Sequence, residues 1–284
     1  MSNFDIGDIQ ITKVAEDVAP TSPKFLFSGV SYEDLQRHAD WMRPHFLDET
    51  GKLIMSIHSF IVKTRHHTIL IDTCLGNDKQ GRAFPPWNGR QGTYLQDLAA
   101  AGCPPESVDY VFCTHMHVDH VGWNTRLENG RWVPTFPNAK YLFNKEEYEY
   151  WKTVQEEHDK VVFDDSVLPI MEAQQAELVS SDFQIDDGIV LESTPGHTPG
   201  HCSVAVSSND QHGVITGDMI HHPVQIAENH FSSAFDVQKE RAIETRRTFC
   251  EKYSDRDVRI LGTHFAPPTA GHIVHTKGSW RLKV

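Results

Sequence analysis

The segment HMHVDH at residues 115–120 is the most informative stretch of this chain, because it places four metal-binding side chains in six positions. It follows directly on residues 108–114, whose apolar pattern predicts a short β-strand. Imidazole and carboxylate groups are ligands of zinc and similar ions. Three imidazoles and one carboxylate are more than one four-coordinate catalytic ion can use while a position stays open for water. The segment therefore indicates a site for two metal ions.

Three further ligand-type residues follow predicted strands in the same way. His197 comes after a strand predicted at 189–193, Asp218 after one at 214–216, and His264 after one at 258–261. In each case an apolar strand is followed by a Gly or Pro that bends the chain, and then by the ligand-type residue. Loops at strand ends are where a rigid scaffold presents its chemistry. We therefore expect these three side chains to converge on His115, His117, Asp119 and His120.

Composition excludes several classes of protein. Hydrophobic residues make up 39% and charged residues 23% of the 284 residues, which excludes a disordered chain or a coiled coil. The net charge of -13 disfavours binding to nucleic acid, which needs a basic face. The five cysteines form no CxxC pair, so a zinc ribbon or a disulfide framework is not expected. No apolar run is long enough for a membrane helix, and the first residues include acids where a secretory signal would have basic residues, so we expect a soluble, cytoplasmic protein.

The remaining pattern predicts one α/β domain over residues 1–284, with an irregular insertion at about 16–50. Strands are predicted at 9–14, 54–63, 68–72, 108–114, 140–143, 176–179, 189–193, 203–206, 214–216 and 258–261, the last clear strand. Helices are predicted to begin at the N-caps Thr93, Asn144 and Asp236, and another around 166–175. Early and late strands, with helices in both halves, indicate two packed sheets with helices outside.

Taken together, HxHxDH, the segment TPGHTPGH at 194–201, Gly217-Asp218 and Gly262-Thr263-His264 resemble the metallo-β-lactamase superfamily. The resemblance extends from Ile9 to about residue 273 and implies a four-layer αββα sandwich. It also implies which residues bind each metal ion, and that Asp72 contacts and orients these ligands without binding metal itself. The first metal would be held by His115, His117 and His197, the second by Asp119, His120 and His264, with Asp218 bridging the two.

Within the superfamily, the chain resembles members close to the N-acyl-homoserine lactonase and methyl parathion hydrolase branch. The implied cofactors are two divalent ions, with Zn²⁺ as the first choice, and the implied reaction is attack by a metal-bridging hydroxide on a lactone or carboxylic ester. His221 stands where the lactonases have a substrate-contacting Tyr. The implied catalytic residues are Asp119, which can also relay a proton, Asp218 and His221, which either donates to the developing oxyanion or supports Asp218. Phosphotriester hydrolysis would be a promiscuous activity.

Two alternatives stay open at this point. A thioesterase of the glyoxalase II kind shares the full ligand set, although only 20 residues follow His264. A non-catalytic metal-binding or sensing protein could also retain the ligands. The expected partner is a small, hydrophobic ester or lactone, and a homodimer is compatible with the family. Six aromatic residues are candidates for the pocket wall: Phe25, Phe27, Phe46, Phe84, Trp87 and Trp123.

Overall fold

Two seven-stranded sheets organise the chain in the computed structural model, which describes residues 2–276 and 278–284. The first sheet has the order β1-β2-β3-β4-β5-β8-β9, and β6 pairs with β7 in a separate hairpin. The bounds are β1 Ser2–Ile6, β2 Ile9–Thr21, β3 Leu53–Lys63, β4 Thr68–Ile71, β5 Tyr110–Phe112, β6 Thr125–Glu128, β7 Arg131–Pro134, β8 Lys140–Asn144 and β9 Ala176–Val179. Strands β4, β5, β8 and β9 are mutually parallel.

The second sheet follows chain order from β10 to β16. Its strands are β10 Gln184–Asp186, β11 Ile189–Ser193, β12 Cys202–Ser208, β13 Gln211–Ile215, β14 Val258–Leu261, β15 Ala270–Thr276 and β16 Ser279–Lys283. Strand β12 is antiparallel to both β11 and β13, whereas β13 and β14 are parallel. The carboxyl ends of β11, β13 and β14 therefore meet at one edge of this sheet.

Among the described residues, ten α-helices connect the strands, and most are short. They are α1 Pro23–Leu26, α2 Tyr32–Gln36, α3 Ala39–Met42, α4 Tyr94–Ala100, α5 Val118–Val121, α6 Lys145–Trp151, α7 Glu157–Ser166, α8 Leu168–Glu172, α9 Val224–Ala227 and α10 Lys239–Tyr253. Single 3₁₀ turns lie at Pro85–Trp87, Pro105–Ser107, Gly122–Asn124 and Gly217–Met219. Within the described residues, no helix combines the length and apolar character that crossing a membrane requires.

Three apolar clusters define the layers. One cluster lies between the two sheets and joins residues such as Phe60 and Ile71 of the first to Val204 and Leu261 of the second. A second packs α4, α6 and α7 on the outer face of the first sheet. A third packs α10 and the short N-terminal helices on the outer face of the second. This order of layers is the αββα sandwich that the family resemblance implied, and all five cysteines are buried within it.

The structure corrects several details of the sequence-based assignment. Strand β2 continues to Thr21, so residues 16–21 are regular and only the rest of 16–50 is built from short helices and turns. Strand β1 was not predicted, and β14 is not the last strand, because β15 and β16 follow it. Asn144 caps α6 as predicted, accepting from the Glu147 N–H. The cap of α10, however, is Gln238 and not Asp236.

Candidate metal centre

The ligand-type residues that the sequence singled out lie together where strands of both sheets end. His115, His117, Asp119 and His120 follow β5, and the last two lie in α5. His197 follows β11, Asp218 follows β13 and His264 follows β14. Because β4 and β5 are parallel, the residues after β4 reach the same place, and they include Asp72. The topology thus brings the seven ligand-type residues, of which His115 and His264 are 149 positions apart, into one cluster.

Three histidines form one half of the cluster. His115 Nε2 is 2.9 Å from His117 Nδ1 and 3.2 Å from His197 Nε2, and His117 Nδ1 is 2.8 Å from His197 Nε2. Three nitrogens around one tetrahedral zinc ion, at bonds of 2.0–2.1 Å, would lie about 3.3 Å apart. The spacing of this trio therefore fits a single metal ion with little rearrangement.

A second group lies beside the first, and Asp218 lies between them. Asp119, His120 and His264 place one ligand atom each within 4.8 Å of one another. Asp218 Oδ2 is 3.1 Å from His264 Nε2 and 3.3 Å from His120 Nε2. The same oxygen is 3.7 Å from His197 Nε2. Asp218 thus faces both groups, which is the arrangement that a bridging carboxylate requires.

The outer ring nitrogens of four of these histidines face oxygen atoms. His115 Nδ1 lies 3.1 Å from Thr114 Oγ1, and His264 Nδ1 lies 2.9 Å from the Ser56 carbonyl. His120 Nδ1 is 3.0 Å from Asp72 Oδ2, and His197 Nδ1 is 2.9 Å from Asp236 Oδ1. An outer N–H that donates to such an oxygen leaves the inner nitrogen as a lone pair. The inner nitrogens lie in groups close to one another and to the carboxylates of Asp119 and Asp218, and a cation is the partner that such groups can share. The residues present therefore fit two metal ions.

The electrostatics differ between the two groups: burial favours neutral imidazoles in the first group, whereas nearby carboxylates raise the pKa of His120 and His264 in the second. Burial lowers the pKa of His115 and His197 well below its usual range, and lowers that of His117 to about 4. Burial opposes charge on His120 as well, but Asp218, Asp72 and Asp119 outweigh it and raise the pKa of His120. Although burial acts against the Asp218 carboxylate, the surrounding histidines hold the pKa of Asp218 well below its usual range.

Three further histidines, His201, His221 and His222, lie near the predicted ligands, and each has different contacts. His201 Nε2 accepts the Asp218 backbone N–H at 2.9 Å, so it orients the loop that carries Asp218. His222 Nε2 donates to the Phe46 carbonyl at 2.8 Å, so this side chain holds the backbone of the N-terminal segment. His221 is buried and lines the cavity, and its Nε2 lies 3.3 Å from Asp218 Oδ2. Neither ring nitrogen of His221 has a hydrogen-bond partner among the described residues.

Asp236 is a site residue that the sequence analysis missed. Besides facing His197, its carboxylate accepts from the Ser233 N–H and Ser232 Oγ, and it lies 3.7 Å from the buried Arg246. It is 39 positions from His197, in a loop that carries no ligand motif. The sequence signal at Asp236 is that of a helix cap, and no local spacing rule connects it to a histidine.

A cavity of about 420 Å³ opens above the cluster. His117, Asp119, His197, Asp218, His221 and His264 form its floor. Its wall is mostly apolar and includes Leu26, Met55, Ile57, Trp151 and Val162. At the rim, Phe25 lies 5.4 Å from Phe84 and 5.3 Å from Phe235, and Phe84 lies 5.2 Å from Trp87 (distances between ring centroids).

Only part of the predicted aromatic wall is therefore correct. Phe25, Phe84 and Trp87 line the cavity, whereas Phe27 and Phe46 are buried in the core beside the second sheet. Trp123 is also buried, and its indole N–H donates to Glu16 at 2.7 Å. The loop that carries Phe84 and Trp87 is attached to α7 by a bidentate pair between Arg82 and Asp165.

Comparison with known proteins gives consistent results. Residues 55–274 match the metallo-beta-lactamase superfamily. An N-acyl homoserine lactonase of Bacillus sp is 24% identical in an alignment 171 residues long, which covers 56% of this chain and 61% of that protein, so the chain spans less than two thirds of its relative. Among solved structures, hydrolase AbOPH of the beta lactamase superfamily has a TM-score of 0.82 at 24% identity, covering 99% of this chain and 96% of its own. AidC, a dizinc quorum-quenching lactonase, has a TM-score of 0.83 at 18% identity with the same coverage. At these identities the likeness to solved structures establishes the fold.

Proposed function

The chain belongs to the metallo-beta-lactamase superfamily, and from that premise we propose that it is a hydrolase that uses two divalent metal ions to open a lactone or cleave a carboxylic ester. Zn²⁺ is the first choice of metal, because imidazole and carboxylate in four-coordinate sites suit it. The observation that carries the proposal is the convergence of imidazole nitrogens and carboxylate oxygens at the floor of an apolar cavity.

In this proposal His115, His117 and His197 hold one ion, and Asp119, His120 and His264 hold the other. Asp218 bridges the two, supported by its short distances to histidines of both groups. When bound, divalent ions at these positions supply an acidified water and an electrophilic contact for the substrate carbonyl oxygen.

The chain's own side chains hold the substrate and move protons. Hydrolysis adds water to the carbonyl carbon and breaks the bond to the leaving oxygen, which then gains a proton. Asp119 lies at the cavity floor and can take a proton from the attacking water and pass it to that oxygen. His221 faces the same space with an unused ring nitrogen, so it can donate to the developing oxyanion or to the leaving oxygen.

The cavity favours a neutral substrate with an apolar acyl group. Its wall is apolar, and its rim adds the exposed rings of Phe25, Phe84 and Phe235. Lactonases are among the relatives of this chain, and two related structures hold N-acyl homoserine products. We include phosphotriesters as secondary substrates, because they are also neutral. A cytoplasmic location and a homodimer stay predictions from the sequence.

A glutathione thioester is less well matched to this cavity. Such a substrate carries carboxylates, for which a site normally provides a Lys or Arg. Arg82 is the one Lys or Arg among the described residues that line the cavity. Its guanidinium is already paired with Asp165, at 2.8 and 2.9 Å. The cavity therefore favours the lactone or ester over the thioester.

The test combines metal analysis with a substrate panel. We expect two metal ions per chain after reconstitution with Zn²⁺, and hydrolysis of lactones and aryl esters that stops when a chelator is added. Catalytic efficiency should rise with acyl-chain length, since each buried CH₂ contributes about 0.8 kcal/mol. S-lactoylglutathione and a β-lactam should be turned over poorly. Metal-loaded protein that leaves every lactone and ester of the panel intact would refute the proposal.

A further inference from the structure

Glu147 is a buried carboxylate that the proposed reaction does not use. It lies in the first turn of α6, its exposed fraction is 1%, and it does not line the cavity. Its Oε1 accepts the Met116 backbone N–H at 3.1 Å and the Trp151 indole N–H at 2.6 Å. Its Oε2 accepts the Gly200 backbone N–H at 3.0 Å. All three donors are neutral N–H groups.

These donors connect the two loops that carry the first group of histidines. Met116 lies between His115 and His117, in the loop that follows β5 of the first sheet. Gly200 lies three residues after His197, in the loop that follows β11 of the second sheet. One side chain thus joins loops of different sheets, and the histidines of both loops must approach each other for their nitrogens to meet.

The packing around Glu147 holds this connection at a fixed distance. A Cβ on Gly200 would lie 2.2 Å from the Glu147 backbone nitrogen, so only glycine lets the loop approach the helix so closely. Asn144 caps the same turn by accepting the Glu147 N–H at 3.1 Å. Trp151, the third donor, places its ring 5.1 Å from the ring of His117.

Burying a carboxylate without a cation is unfavourable, and burial accordingly raises the pKa of Glu147. An apolar residue at this position would satisfy the core but would leave the two loops unconnected. The second group of ligands does not depend on Glu147, since His120 faces Asp72 and His264 faces the Ser56 carbonyl. Any effect of Glu147 on ligand geometry should therefore fall on the first group alone.

We propose that Glu147 is a positioning residue that sets the distance between the two histidine loops and so selectively raises the metal affinity of the His115, His117 and His197 site. The inference rests on the metal centre of the proposed function and is independent of the substrate. Groups behind metal ligands contribute about 10–100-fold to metal affinity or activity, and we expect an effect of that size.

The principal variant is Glu147→Gln. Its amide oxygen can still accept from Met116 and Trp151, but its NH₂ group would face the Gly200 N–H, so the hydrogen bond from Gly200 in the second loop is lost. Glu146→Gln is the matched control, because Glu146 is the exposed neighbour on the same helix. Each variant is also made with His264→Ala, which leaves the first site to be titrated alone, and with His197→Ala, which leaves the second.

Zn²⁺ affinity is measured by competition with a chromophoric chelator, and the visible spectrum of the Co²⁺-loaded protein reports ligand geometry. We expect Glu147→Gln to weaken the first site by about 10–100-fold, to alter its Co²⁺ spectrum and to leave the second site unchanged. Glu146→Gln should match the parent protein at both sites.

Two outcomes would overturn the inference. One is wild-type affinity at the first site of Glu147→Gln, and the other is an equal loss at both sites, which would indicate a general folding role. If the unmodified chain binds no metal at all, the proposed function fails first, which is a distinguishable result. Should Glu147→Gln not fold, amide exchange at Met116 and Gly200 replaces it. The inference requires both amides to be protected before metal is added, and rapid exchange at either one contradicts it.

Discussion

The outer contacts of the histidines show what local sequence can and cannot predict. The seven ligand-type residues each lie after a predicted strand, and the structure brings all seven together. The outer partners Asp236 and Ser56 lie 39 and 208 positions from the histidines they face. Their selection depends on how the chain folds over the site, and no spacing rule reveals it. Asp72 was predictable only because the family resemblance includes it.

His221 gives a prediction at this scale. Replacing it with Gln should lower kcat for ester hydrolysis by about 100–1,000-fold if it donates to the oxyanion, whereas bound Zn²⁺ should stay at two per chain. The measurement pairs steady-state kinetics with elemental analysis. His230→Gln is the control, because the His230 side chain is 69% exposed. Loss of metal in His221→Gln would instead assign the residue to supporting Asp218.

At the level of elements, His120 is held by direct backbone contact between two loops. The Thr73 N–H donates to the His120 carbonyl, the Gly122 N–H to the Cys74 carbonyl, and the Trp123 N–H to the Thr73 carbonyl, each at 2.8 Å. Cys74 adopts a φ of 51° in this turn, a conformation more common for glycine. The loop after β4 thus lies directly against the residues that follow α5.

This contact leaves no room for a side chain at Gly122. A Cβ there would lie 2.0 Å from the Leu75 carbonyl carbon and oxygen, so Gly122→Ala should lower the free energy of unfolding by about 2–3 kcal/mol. The matched control is Gly92→Ala, because the nearest atom to its Cβ is 3.7 Å away. Denaturant unfolding of both variants provides the measurement, and equal stability of the two would show that the loops separate easily.

Several of the strands missed by sequence analysis lie at the edge of a sheet or next to it. Strand β16 contains Arg281 and Lys283, and β15 contains His272 and His275, so neither has a simple apolar alternation. Strand β1, another edge strand, is only partly buried. Edge strands are often polar because one side faces solvent, and pairing with a neighbour, which sequence does not display, decides their conformation. The central strands, which are apolar, were predicted well.

Lys79, in the loop that joins the cavity rim to α7, should make the stability of the protein depend on pH. Lys79 is buried beside Thr125 and Trp132, and burial lowers its pKa from 10.5 to about 7, although Asp165 and Asp78 oppose this and Arg82 adds to it. Between about pH 7 and 10.5 the unfolded chain therefore binds more protons than the folded chain, so this group makes stability rise with pH.

Lys79→Met removes that contribution. In metal-free protein, the stability of the wild type relative to Lys79→Met should increase from pH 7 to 10, by at most about 1.4 kcal/mol per pH unit. The measurement is urea unfolding at a series of pH values, and Lys160→Met, at an exposed position of α7, is the control. A constant difference between wild type and Lys79→Met would show that Lys79 keeps an ordinary pKa when folded.

At the scale of the whole molecule, the proposed ligands come from both halves of the sandwich. Four follow β5 of the first sheet, and three follow β11, β13 and β14 of the second. A metal ion in the first site would contact residues of both sheets, and so would one in the second. Metal binding and folding should therefore be coupled.

Removal of metal should accordingly lower stability. At free Zn²⁺ 100 times the dissociation constant, one site adds about 2.7 kcal/mol to the free energy of unfolding. Chemical denaturation with and without a chelator, and at increasing Zn²⁺, measures this effect. Mg²⁺ is the control ion, because it prefers oxygen ligands and should shift the midpoint little. If the unfolding midpoint does not respond to Zn²⁺, metal binding does not stabilise the fold and the predicted coupling is wrong.

The burial of the five thiols has a practical consequence. Cys74, Cys103 and Cys113 belong to the apolar layer outside the first sheet, Cys202 to the layer between the sheets, and Cys250 to the layer outside the second. An alkylating reagent reaches each thiol only when its surroundings open. The rates of labelling, read residue by residue by mass spectrometry, would therefore report the order in which the layers of this sandwich come apart, without any introduced label.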